Sequence, residues 1–86
     1  MYVVGAALLS DFWERHAASE GELRALHALL SSLDASQLEE TLEHVARFEG
    51  SAAEIALETA RVRIEISAAA GVIRYAAVEE VEEQTP

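Results

Sequence analysis

The chain is 86 residues long and carries 16 acidic side chains against 6 basic ones, a formal net charge of −10. All six basic residues are Arg; Lys and Cys are absent. This length allows one small domain, near the lower limit for a self-sufficient core. The charge excludes gripping a phosphate backbone by counterion release, or an anionic membrane surface, and favours basic protein surfaces as partners. A hydrophobic content of 51% excludes disorder by composition. Without Cys there is no disulfide, zinc–thiolate site or thiol nucleophile. The longest apolar stretch, Val3 to Leu9, falls far short of the about 20 residues of a membrane span. No basic region followed by a long apolar one stands at the N-terminus, so a cytoplasmic domain is expected.

Met1-Tyr2-Val3-Val4 is β-prone, and Gly5 breaks the run. From Ala6 the period changes: Leu9, Phe12, Trp13 and His16 fall at i, i+3, i+4 and i+7, the apolar stripe of a helix. Ser19-Glu20-Gly21-Glu22 has the capping-box pattern, and Leu23, Leu26, His27, Leu30 and Leu33 form a second stripe behind it. Two helices joined at Ala18–Ser19 follow. Ser36-Gln37-Leu38-Glu39 repeats the capping pattern, Leu38, Leu42 and Val45 keep helical spacing, and Gly50 offers a stop. A third, shorter helix is expected there. The 17 Ala residues favour helix and leave a small-residue core.

The last third alternates. Arg61 to Ser67 places Val62, Ile64 and Ile66 on one face, Gly71 ends a small-residue turn, and Val72 to Val78 is rich in β-formers, the pattern of a hairpin. Residues 52–60 read either way; Ile55, Leu57 and Thr59 alternate with Glu54, Ala56 and Glu58, which favours a strand. The expected organisation is one α+β domain over residues 1–78, with an N-terminal strand and two to three helices packed on a small antiparallel sheet. Residues 79–86 are expected to form an acidic, solvated tail.

Leu9-Ser10-Asp11-Phe12-Trp13-Glu14-Arg15-His16, followed by Gly21-Glu22-Leu23-Arg24-Ala25-Leu26-His27, resembles the N-terminal part of HigB toxins of the RelE superfamily. That family carries a short first strand, a helix with a Phe-Trp-x-x-His cluster and a second helix; Ile73-Arg74-Tyr75 is similar to its last core strand. The resemblance implies a RelE/HigB-like fold and a ribosome-dependent mRNA endoribonuclease neutralised by an antitoxin. Aligned on Arg74, however, Glu79 and Glu82 stand where the family motif has His and Tyr. Cleavage needs a base, a cationic stabiliser and an acid. If the chain were toxin-like, Arg63, Arg74 and Glu79 would have to supply them. An ionised Glu82 cannot donate as Tyr does, and both carboxylates repel the RNA backbone. The resemblance therefore carries the fold and not the reaction.

Other constellations are bland. His16 and His27 lie on or beside apolar stripes and fit hydrogen-bonded positions at the core's edge. Glu20 follows His16 by four and Glu40 precedes His44 by four, but neither pair completes a ligand set, so no metal or cofactor is expected. Phe12 and Trp13 fit the centre of a helix–sheet core better than a base-stacking platform, which needs basic flanks. The acidic residues separate into Glu39, Glu40, Glu43 and Glu49 in the middle of the chain and Glu79, Glu80, Glu82 and Glu83 at its end. Spaced carboxylates imitate a phosphate track and pair with Arg-rich grooves. The reading favoured here is a non-catalytic inhibitor whose acidic face docks on the basic surface of a nucleic-acid-handling protein, such as a CRISPR effector or another nuclease complex, as anti-CRISPR and other phage anti-defence proteins do. It involves no direct contact with nucleic acid and none with a membrane. The HigB-like toxin is the alternative. A homodimeric structural module is the third reading, because a small Ala-rich core gains from burial by a partner.

Overall fold

Apolar and charged residues alternate through the last third of the chain, and that alternation sets one wet and one dry side of a sheet. The computed structural model describes residues 1–81. Its strands are β1 (Tyr2–Val4), β2 (Ala46–Glu49), β3 (Ala52–Ala56), β4 (Ala60–Ser67) and β5 (Val72–Glu80). Its helices are α1 (Ala7–Arg15), α2 (Glu20–Ser32) and α3 (Leu38–Leu42), with single 3-10 turns at Ala17–Ser19 and Ala35–Gln37 leading into the last two. The protein is an α+β domain. Among the described residues no helix is long and apolar enough to cross a membrane.

The strand order is β1-β5-β4-β3-β2. β1 runs parallel to β5, in the register Val3 opposite Ile73, and the other neighbours are antiparallel. The sheet is thus mixed, not purely antiparallel as expected. A strand at the start of the chain reaches β5 only after the helices and three further strands have intervened, and such a long crossover permits parallel pairing. Gly5 ends β1 at φ +86°, where an added Cβ would lie 3.4 Å from the Tyr75 carbonyl oxygen. That position needs glycine twice over, for its backbone angle and for the close approach.

One side of the sheet is dry. Ile55, Val62, Ile64 and Ile73 are fully buried there, against Leu9 and Phe12 of α1 and Leu23, Leu26 and Leu30 of α2. The two expected stripes therefore deliver their residues to the core, though Trp13 sits only half-buried at its rim.

Three expectations need correction. The third helix stops at Leu42, and residues 46–49 form an edge strand. Ala46 and Phe48 gain partial burial by alternation, and the left-handed Gly50 (φ +61°) closes a two-residue hairpin between Glu49 and Ala52 instead of ending a helix. The third helix is also not capped at Ser36; Asp34 and Gln37 form the reciprocal box two residues earlier. Finally, β5 continues through Glu79 and Glu80, opposite Arg61 and Ala60, where a solvated tail was expected from Glu79 onward. Strand pairing with β4 holds both residues in the sheet.

The buried alternation predicts a large cavity cost. Ile64→Ala is expected to lower the unfolding free energy by about 2–5 kcal/mol. Chemical denaturation of the variant beside the parent checks it, and a loss below about 1 kcal/mol would contradict the assigned core.

Candidate functional site

Two features organise the surface. The first is a polar knot between α2 and the turn joining β3 to β4. Ser19 and Glu22, expected to cap α2, reach outward instead. The Glu22 carboxylate accepts the backbone N–H groups of Glu58 and Thr59, each at 2.8 Å, and the Thr59 hydroxyl also donates to it. The buried Ser19 hydroxyl donates to Thr59 Oγ1 at 2.9 Å and completes the relay. The Thr59 hydroxyl holds the Glu22 pKa below its ordinary value; partial burial opposes this, and the two amides reinforce it. A carboxylate with several fixed donors is cheaper to keep ionised than to protonate.

The second feature is the open side of the sheet. Register places Arg47, Glu54, Arg61, Arg63, Glu65, Arg74 and Glu79, with Glu49, on that side. Glu54 lies 3.1 Å from Arg61 and 3.9 Å from Arg63, and Arg74 pairs with Glu65. Four of the six Arg residues are there, matched by four Glu, so among the described residues this side is neutral. The other described residues include ten acidic side chains against Arg15 and Arg24. Arg24 is itself held by Glu20 at 2.7 Å and lies 4.8 Å over the Trp13 ring. The charge of the protein is therefore not a uniform coat.

A bulge decides where the last described acids go. Opposite Arg63–Ile64, β5 inserts Ala76 between Tyr75 and Ala77. The extra residue shifts the alternation by one. Glu79 then faces the open side beside Arg61, while Glu80 faces the helices, 3.9 Å from His16 Nδ1. The expected terminal cluster is thus divided between two sides of the sheet; Glu82 and Glu83 lie outside the described residues. Glu39, Glu40 and Glu43 remain together, and with Ala46 and Phe48 they line an open depression of about 490 Å³ along β2. Glu49 does not join them, because it alternates to the open side.

The residues a toxin-like reaction would require are only partly assembled. Arg63 and Glu79 share a shallow patch with Arg61 and Glu54, but it encloses no volume, and Arg74 is occupied by Glu65. A phosphate would have to displace these carboxylates first. Tyr75 is no substitute acid: it is buried on the helix side, where desolvation pushes its hydroxyl above the ordinary tyrosine range, and it shares a 3.0 Å hydrogen bond with His27 Nδ1. His16 stacks on Phe12 with ring centres 4.4 Å apart, and His44 is exposed beside Glu43. Among the described residues no group of three or more His, Asp or Glu is placed to hold a metal ion.

No family model, curated protein or solved structure matches the chain.

The knot predicts a pH signature. Because the folded pKa of Glu22 is depressed, its contribution is complete above the ordinary value of 4.5 and is lost as pH falls through the folded value. At neutral pH, Glu22→Gln is expected to cost about 1–2 kcal/mol, the upper range for charge-assisted bonds being reduced by solvent. Denaturation of both proteins between neutral and strongly acidic pH should show that difference shrinking below the ordinary carboxylate value. A difference that persists unchanged in acid contradicts the assignment.

Proposed function

We propose that this chain is a non-catalytic, RelE/HigB-like binding protein that inhibits a nucleic-acid-handling partner by occupying its basic surface. One observation carries the reading: among the described residues, the Arg residues that could attract RNA are matched by Glu on the open sheet side, while the excess negative charge lies elsewhere. Field lines from unopposed carboxylates steer a cationic partner toward the helix side and α3, and a neutral sheet side contributes little to that attraction. The RelE-like part of the proposal is supported by the order of elements: a short first strand, two successive helices bearing Phe12-Trp13 and Leu23-Arg24, and Ile73-Arg74-Tyr75 in the last strand. The partner class is a cytoplasmic CRISPR effector or other nuclease complex with an Arg-rich groove, in the manner of phage anti-defence proteins.

The toxin reading keeps one observation in its favour, the convergence of Arg61, Arg63 and Glu79 on one patch. Against it stand the ion pairs that already occupy those Arg side chains, and the shallowness of that patch, which encloses no volume for a scissile phosphate.

A competition assay separates the readings. Added to a basic nuclease complex, the purified chain should displace the bound nucleic acid at low salt. Displacement should weaken steeply above roughly physiological ionic strength, where the screening length is about 8 Å. In a translating extract it should leave mRNA intact. Cleavage that disappears in Arg74→Gln or Glu79→Gln would overturn the binding-only reading.

A further inference from the structure

The corrected strand β2 has a property the helical expectation concealed. In an antiparallel pair, residues alternate between those that exchange backbone bonds with the partner and those that do not. The Ala56 N–H donates to the Val45 carbonyl at 2.7 Å, and this fixes the phase of the β2–β3 ladder. Arg47 and Glu49 then bond to Glu54 and Ala52, and the N–H and C=O groups of Ala46 and Phe48 point out of the sheet. Among the described residues nothing in another element takes up those four groups. They flank the depression lined by Glu39, Glu40 and Glu43.

We infer that the β2 edge accepts an extended basic segment of the partner as a sixth strand, with Lys or Arg at every second position facing α3. The inference rests on the proposed acidic binding role and adds where and in what conformation the partner is held. Backbone groups supply the register, and side-chain charge supplies the choice of partner. In an added strand, the residues flanking Ala46 and Phe48 on the helix side meet Glu39, Glu40 and Glu43, whereas those on the open side meet Arg47 and Glu49, which cancel. The surface therefore rewards alternation of charge, not merely its amount. A second copy of this chain is a poor occupant. Pairing two β2 edges about a twofold axis would bring both sets of α3 carboxylates to one side of the joined sheet, and like charges so placed repel. Short edges with mixed charges also serve as guards against aggregation. Here the single-signed flank turns that guard into a filter that turns away neutral and acidic strands.

The test uses the full chain and blocked peptides of one composition: Arg and Val alternating, Arg and Val in two blocks, and the alternating form N-methylated on the amides that would pair. The alternating peptide should bind at low salt about 3–10-fold more tightly than either control, the range set by one or two backbone hydrogen bonds. Amide exchange at Ala46 and Phe48 should slow on binding. Ala46→Pro removes an edge-facing donor without breaking a bond to β3, an edge position that tolerates proline, and should lower affinity in the same range. The peptide controls keep the inference testable if that variant fails to fold. Equal binding of all three peptides, with Ala46 and Phe48 unprotected, overturns the added strand while leaving the acidic surface standing. No binding of any basic peptide overturns both. A doubled mass in solution with both amides protected before peptide is added assigns the edge to a second copy and also overturns it.

Discussion

A sheet with helices on only one side must leave its other side in water, and most of this protein follows from how that side is built. Alternation along β3, β4 and β5 commits Ile55, Val62, Ile64 and Ile73 to the core and sends the intervening residues outward. A wet sheet side of five strands would be an adhesive surface if it were apolar, or a phosphate trap if it were cationic. The chain places four Arg residues there and opposes them with four Glu, most clearly in Glu54 between Arg61 and Arg63. Exposed pairs of this kind add little stability. Their consequence is electrostatic: among the described residues this side is neutral, and the excess of acidic over basic side chains lies on the rest of the surface.

The helix side is where that charge meets structure. Glu22 spends its charge internally, fixing the β3–β4 turn to the start of α2 through two backbone amides and Thr59. Glu20 is committed to Arg24. Among the described residues Glu39, Glu40 and Glu43 form no ion pair other than that of Glu43 with His44, and they lie beside a strand whose outward backbone groups are taken up by no other element. A surface that attracts a cation and also offers it backbone hydrogen bonds recognises conformation as well as charge.

The parts of this arrangement that were legible in the sequence are those set by local periodicity. Leu9 and Phe12, Leu23 to Leu30, and the alternation around Val62 and Ile64 declare their faces within a few residues, and the structure places them accordingly. What could not be read is set by contacts distant in sequence. Nothing local marks Ala76 as a bulge, yet that one residue decides that Glu79 faces Arg61 and Glu80 faces His16. Ser19 and Glu22 have the spacing of a capping box, but a turn 37 residues away offers the carboxylate better donors. Leu38, Leu42 and Val45 keep helical spacing up to the point where pairing with β3 overrides it. Of the acids grouped in the middle of the chain, Glu39, Glu40 and Glu43 share one depression while Glu49 turns to the open side, because face assignment in an edge strand depends on its register.

Separation of charge between the two sides of the sheet underlies every functional step in this account, and it can be measured without a partner. Relaxation enhancement of alanine methyl protons by matched cationic and anionic nitroxides reports the local potential. The methyls of Ala52, Ala56 and Ala77 sample the open side, and that of Ala46 samples the groove beside α3. A strong preference for the cationic probe is expected at Ala46, with near-equal effects at the other three. An equally negative potential at all four methyls would contradict it.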